Sequence, residues 1–219
     1  MPHDDIHIQL VDLPAVSPEH PVPWLASALQ MADAGLLIVD LGEPSCVEQM
    51  QAVHAVLREQ RVTLVERWDP ASGSSEAPVG SNPDPFALQL PTLMLANKAE
   101  RVADIGAEIE TFRELTDVRY HVLAVSAATG LGLGEVAPWL FDHLGIVRVY
   151  TKTPGHLPEK DRPFTLRRGQ THTGRGTART RGSGPLAQIC ARVGTSGFDG
   201  QQVGHDHAVA DGDVVELHT

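Results

Sequence analysis

The sequence predicts an α/β chain built on a parallel sheet, followed by a small α+β unit. Three observations carry this. Between residues 35 and 144, apolar runs of strand length alternate with stretches of helical period. The runs are apolar almost throughout, as expected of strands covered on both faces by helices. After Gly145 the pattern changes to short strands separated by Pro- and Gly-containing loops. Charge divides at the same place. Residues 1–145 hold 7 Lys+Arg against 21 Asp+Glu, and residues 146–219 hold 10 against 7. An acidic front and a basic tail point to two domains, 1–145 and 146–219, with different partners.

In chain order, Ile6–Val11 alternates and runs into Asp12-Leu13-Pro14, a strand entering a loop. Pro18, Pro21 and Pro23 make the next stretch irregular, and Trp24–Ala32 has helical character. Gly35–Asp40 is a continuous apolar run, predicted as a strand buried on both faces. Ser45–Arg58 has helical spacing at Val47, Met50, Val53 and Leu57, with Ser45 as its N-cap. Val62–Val65 is a short strand, and residues 68–90, rich in Pro, Gly, Ser and Asp, form a surface loop. Pro91–Ala96 and Tyr120–Val125 are strands, and Ala103–Leu115 and Leu133–Leu144 are helices. Val147–Tyr150 and Phe164–Leu166 are predicted to pair, with Val214–Leu217 as a final strand.

No apolar run approaches the length of a membrane span, so no membrane partner is expected. Met1–Leu10 carries His and Asp where a secretory signal has basic and apolar stretches. Cys46 and Cys190 match no zinc spacing and fit reduced thiols of a cytoplasmic protein.

The chemistry sits at strand ends. Asn97-Lys98-Ala99-Glu100 follows one predicted strand, and Ser126-Ala127-Ala128 follows the next, about 30 residues later. Ligands bind at the carboxyl ends of strands in open α/β sheets. The pair resembles the NKxD and SAx guanine-specificity elements of Ras-like GTPases. The resemblance implies that a carboxylate accepts the ring N–H and the amino group of guanine, a donor pair adenine lacks. It further implies that the Lys stem covers the base, that the Asn amide braces the neighbouring loop, and that a backbone N–H near Ala127 meets the guanine carbonyl. Glu100 stands where the family has Asp, which moves the carboxylate by one methylene.

Asp12-Leu13-Pro14-Ala15 resembles the family's DxxG motif. The resemblance implies Mg²⁺ held by Asp12 through a water, and a backbone N–H at position 15 touching the γ-phosphate. Ala15 replaces the Gly, and Val16 stands where Ras-type enzymes place a water-orienting Gln. An apolar residue there is usual in the Obg-like and developmentally regulated (Drg) GTP-binding families. No GxxxxGK[ST] phosphate-binding sequence occurs, nor a switch threonine before Asp12. On the Ras-like strand order the chain starts at the family's third strand. The missing first strand would leave Ile6–Val11 and Leu36–Val39 flanking an empty slot, so a truncated product is expected, with a partner-supplied strand as the alternative.

The tail resembles the TGS domain, a ubiquitin-like β-grasp module shared by threonyl-tRNA synthetases, Obg/Drg-type GTPases and ppGpp synthetases. The matching stretches are Val147–Lys152 with Gly155, Leu157 and Pro158, and Gly197–Leu217 with Val203-Gly204, Asp206-His207 and Asp211–Val215. His205 and His207 could suggest a metal, but they have no further nearby ligand and are expected to be turn residues.

Thr171–Gly194, rich in Gly and Arg, has no amphipathic period over its first half, although a β-grasp domain needs its helix there. Read one nucleotide later from His172, permitted codons encode TRDVARHVHADLARSLKYARVWG, an amphipathic helix and strand that resemble the family's. A compensated frameshift between about Thr171 and Thr195 is therefore expected, against a natural loop or an RGG-type RNA-binding element. The DNA sequence decides among them.

The resemblance as a whole is to an Obg/Drg-like GTPase. Its implied fold is a Ras-like P-loop NTPase G domain, partial and lacking its first strands and P-loop, followed by the TGS domain. Its implied ligands are GTP or GDP with Mg²⁺ in the intact parent. The TGS domain implies a ribosome, RNA or protein partner, and no DNA. The alternative function is a non-catalytic docking module on a degenerate G-domain scaffold.

Overall fold

The computed structural model describes residues 1–17, 22–68, 87–152, 156–168, 188–193 and 209–218. These fall into two compact units. One runs from Gln9 to Leu140, and the other joins Met1–Ile8 to the chain from Phe141 onward.

The Gln9–Leu140 unit is α/β with an all-parallel sheet. Among the described residues the strands are β1 (Pro2–His3), β2 (Ile6–His7), β3 (Gly35–Asp40), β4 (Val62–Val65), β5 (Leu88–Asn97), β6 (His121–Ala124), β7 (Ile146–Lys152), β8 (Glu159–Arg167), β9 (Gln188–Val193) and β10 (Asp213–His218). The helices are α1 (Leu25–Gln30), α2 (Cys46–Glu59), α3 (Ile105–Thr116) and α4 (Leu133–His143). No described helix is long and apolar enough to cross a membrane.

β5 is the hub of the parallel sheet. Its first half pairs with β4, Val62 opposite Leu88 through Val65 opposite Pro91. Its second half pairs with β3 and with β6. Leu90, Leu93, Met94 and Ala96 are all buried, so both faces of β5 are covered, as an apolar parallel strand requires. Met94 and Ala96 meet Phe112 of α3 and Met50 of α2 in one core, while Leu90 joins Leu25, Leu29 and Leu57 in a second. Tyr120, just before β6, ties α2 to β4. Its hydroxyl lies 3.0 Å from His54 Nε2 and donates to the Leu64 carbonyl. Burial pushes its pKa up to about 12 and pushes that of His54 down.

Four expectations are corrected. The strand expected at Ile6–Val11 is only β2, two residues long, paired with β1. Among the described residues no strand lies alongside the stretch after His7, so it has no ladder to join. Residues 8–16 hold no helix or strand, and Leu10 and Val11 are exposed. β3 is not buried on both faces: only Val39 is buried, and Ile38 is 65% exposed, because β5 is its one ladder partner among the described residues. Ser45 sits at the N-cap of α2 without capping, since its hydroxyl donates to Glu43 and accepts from Gln49. β5 starts at Leu88, three residues before the proline that marked its expected start.

The other unit contains a mixed sheet in the order β8-β7-β10-β9. β7 and β8 pair antiparallel, with Val147 opposite Leu166 and Val149 opposite Phe164, as expected. β10 lies parallel to β7 and antiparallel to β9. Val147, Val149, Val209 and Val215 form its core. Arg148 of β7 is the electrostatic centre. Its guanidinium makes a two-pronged pair with Asp211, bonds Asp4 and Asp5 of the β1–β2 hairpin, and lies 5.0 Å over the Phe141 ring. The Tyr150 hydroxyl donates to Asp5. The Arg148 bond holds the Asp211 carboxyl below the usual carboxylate range. Residues 171–187 and His205–His207 lie outside the described residues, so the expectations for them go no further here.

Candidate functional site

The ends of β5 and β6 form the site. Past Asn97 and Ala124 the ladder continues for one more step. Val125 N–H donates to the Ala96 carbonyl at 2.8 Å, and Ala99 N–H donates to the Val125 carbonyl at 3.1 Å. Between those bonds Lys98 takes the left-handed conformation, φ 60° and ψ 30°. An L-residue there costs roughly 1 kcal/mol, tolerated when the surroundings over-determine it. The reversal starts the 3-10 turn Ala99–Arg101, which buries Ala99 and leaves Glu100 at the rim.

Asn97 Oδ1 accepts from Ala127 N–H at 3.1 Å, so the two predicted motifs meet across 30 residues of sequence. That N–H is thereby engaged, and the donor that the resemblance expects near Ala127 has to come from a neighbouring residue. Ser126 is fully buried and organises its loop three ways. Its N–H donates to Leu131, its carbonyl accepts from Gly130, and its Oγ accepts from Thr129 N–H at 3.1 Å. The same hydroxyl donates to the Glu100 carboxylate, and this bond is the first cause of that carboxyl's pKa lying below its ordinary value. The residue at the head of the other loop thus favours the ionised form of Glu100.

Two further residues complete the rim, and the sequence reading did not single out either. Gly132 has φ +69°, and a Cβ there would stand 2.1 Å from the Ala124 carbonyl oxygen. Only glycine lets the Ser126 loop return so close to β6. Asp40 ends β3 opposite Asn97, and its Oδ2 lies 2.7 Å from Lys98 Nζ while its Oδ1 accepts from Gly42 N–H. The Lys98 bond is the main reason the Asp40 carboxyl is held below its usual range. The spacing of Gly130 and Gly132 after Ser126 was a readable signal; Asp40 gave none, because its role depends on strand register.

Asp12 and Ala15 are exposed in the irregular stretch after β2, while Leu13 and Val16 beside them pack against the core around Leu25 and Leu90. Among the described residues no hydrogen bond or ion pair ties Asp12 or Ala15 to the two loops. Nor is any group of three or more His, Cys, Asp and Glu among them arranged to hold a metal.

No family model matches the chain. It is similar to an uncharacterized GTP-binding protein of Halobacterium salinarum, 28% identical over 142 residues, covering 59% of this chain and 36% of that protein. It is also similar to an uncharacterized GTP-binding protein of Methanocaldococcus jannaschii, 26% identical over 145 residues, covering 59% of this chain and 33% of that one. The chain thus spans about a third of the length of the curated relatives it matches.

Proposed function

We propose that this chain carries the guanine-recognition half of a GTP-binding domain of the Obg/Drg-like class. Glu100 accepts from the ring N–H and amino group of guanine. The Lys98 stem lies on the purine, Asn97 braces the Ser126 loop, and a backbone N–H near Ala127 meets the guanine carbonyl. The single observation that carries the proposal is the Asn97–Ala127 bond, which joins the two motifs at the ends of adjacent parallel strands. The names of the archaeal relatives support the same ligand class. Adenine offers no donor pair to Glu100 and would leave the carboxylate unpaired, which is how a hydrogen-bonding site rejects a near-isostere.

The γ-phosphate chemistry is not assigned to this chain. Phosphoryl transfer rests on phosphate-cradling donors and Mg²⁺, and no GxxxxGK[ST] sequence occurs among these residues. GTP hydrolysis and a link to the ribosome belong to this proposal for an intact parent. The order β8-β7-β10-β9, with parallel β7 and β10 at its centre, supports a β-grasp TGS unit from 146 to 219 that docks on RNA or a partner protein. Ala15 and Glu100, which depart from the Gly and Asp of the motifs they resemble, favour a second reading, a non-catalytic docking module with the α/β unit as scaffold.

The test is a titration of the purified chain with GMP, GDP and AMP followed by backbone NMR. Shifts at Asn97–Arg101 and Ser126–Thr129 with GMP and GDP, and weaker ones with AMP, are the expected result. Equal response to AMP, or shifts confined to other residues, would overturn the proposal.

A further inference from the structure

We propose that Asp40 is a positioning residue for purine recognition, holding the Lys98 ammonium so that Lys98 presents its apolar stem, not its charge, to the base. This rests on the guanine-site reading above. Three bonds tie the rim together. Asp40 at the end of β3 holds Lys98 of β5 at 2.7 Å, Asn97 of β5 holds Ala127 beyond β6 at 3.1 Å, and Gly42 N–H holds Asp40 at 3.1 Å. Asp40 cannot swing away from Lys98 without releasing the turn after β3. Lys98 starts from a left-handed backbone, and its ammonium is fixed at the far end, so both ends of the four-carbon stem are set. A stem fixed this way loses little conformational entropy when a flat ring stacks on it.

The arrangement is counterintuitive for a site that takes an anion. A carboxylate at the rim repels phosphate, and an unpaired lysine would attract it. Pairing cancels the lysine charge locally and leaves base contact as what Lys98 contributes. This separates two predictions of opposite sign. If Asp40 acts only as a nearby negative charge, Asp40→Asn tightens GMP and leaves uncharged guanosine unaffected. If Asp40 positions Lys98, the same change weakens both ligands by the same factor.

The experiment is titration of the full chain and its variants with guanosine and with GMP, followed by NMR, alongside thermal melting. Asp40→Asn is expected to raise both dissociation constants by roughly two- to five-fold, the range of a partly exposed ion pair. Asp40→Glu is expected to recover part of the loss, and in a Lys98→Met background Asp40→Asn is expected to add nothing further. Unchanged guanosine binding, tighter GMP binding, or additive losses in the double variant would overturn the inference. Should Asp40→Asn melt out, Asp40→Glu against Lys98→Met supplies the same comparison. If the unsubstituted chain binds neither ligand, the guanine-site reading falls and this inference with it. Binding that is indifferent to Asp40 sinks this inference alone.

Discussion

Two regions of the α/β unit resemble sequence motifs of one family, and the fold treats them differently. Asn97–Glu100 and Ser126–Ala127 sit at the ends of neighbouring parallel strands, and backbone bonds extend the ladder into both loops. Asp12–Ala15 follows a two-residue strand and, among the described residues, has no ladder to extend. The difference teaches that a motif is only as well placed as the strand that delivers it. Side chains such as Asn97 and Ser126 are fixed because their backbones are fixed. Asp12 is exposed on a stretch without helix or strand, held only by the packing of Leu13 and Val16 against the core around Leu25 and Leu90.

The sharpest way to break the comparison is to damage the fixed side. Gly132→Ala adds a Cβ 2.1 Å from the Ala124 oxygen at a residue with φ +69°. The loop has to move or the strand has to give, and about 2–4 kcal/mol of stability is expected to be lost. Thermal melting should fall by roughly 5–15 °C, with amide exchange rising first in Ser126–Leu133. A neutral Gly132→Ala would mean that the loop is not held as described.

Glu100→Gln leaves the loops intact and tests the chemistry alone. The amide offers one acceptor and one donor where guanine needs two acceptors. Discrimination for guanine over adenine should drop by about 1–3 kcal/mol, the worth of a good bidentate base contact. Competition between GMP and AMP reads this directly. Retained discrimination would move base recognition away from Glu100.

Ser126→Ala sharpens the same point through pH. The Ser126 hydrogen bond lowers the Glu100 pKa from its ordinary 4.5. Because base binding needs the ionised carboxylate, GMP affinity should hold as pH falls to 4.5 and decline only below that. Without the hydroxyl the decline should begin at higher pH. A pH profile identical in the two proteins would show that Ser126 does not favour the ionised form of Glu100.

How far the sequence foretold this contrast can be judged from particular residues. Val62–Val65 was legible residue for residue, and the pairing of Val147–Tyr150 with Phe164–Leu166 followed from their apolar pattern. The start of β5 was not. Pro91 looked like a boundary, yet the strand runs from Leu88, where Leu90 is buried against Leu57 and Val62. Local preference yielded there to burial. Ser45 had the right place for a cap, but its hydroxyl found side-chain partners instead. Asp40 was invisible for a deeper reason. An aspartate ending an apolar run has no signature of its own, and its meeting with Lys98 arises from the register that sets Asp40 opposite Asn97. The alternation of Ile6–Val11 spoke for a strand, but a strand is completed by its neighbour and not by its own sequence.

The smallest expected effect falls on the other side of the comparison. Asp12→Ala removes an exposed carboxylate from a stretch without helix or strand, tied to neither loop. Stability should change by less than about 0.5 kcal/mol, as for a surface substitution away from special features. The NMR shifts produced by GMP at Asn97–Arg101 and Ser126–Thr129 should be the same in both proteins, with or without millimolar Mg²⁺. The null result is informative because the family resemblance alone predicts otherwise: an aspartate that holds magnesium in a working site should couple metal to nucleotide. If Asp12→Ala abolishes a magnesium-dependent gain in nucleotide affinity, the irregular stretch does fold onto the site when ligand is present. The contrast between the two segments would then belong to the free protein only. If nothing changes, recognition of the base and handling of the phosphates are separable in this chain, and the rim from Asp40 to Ala127 does the first without the second.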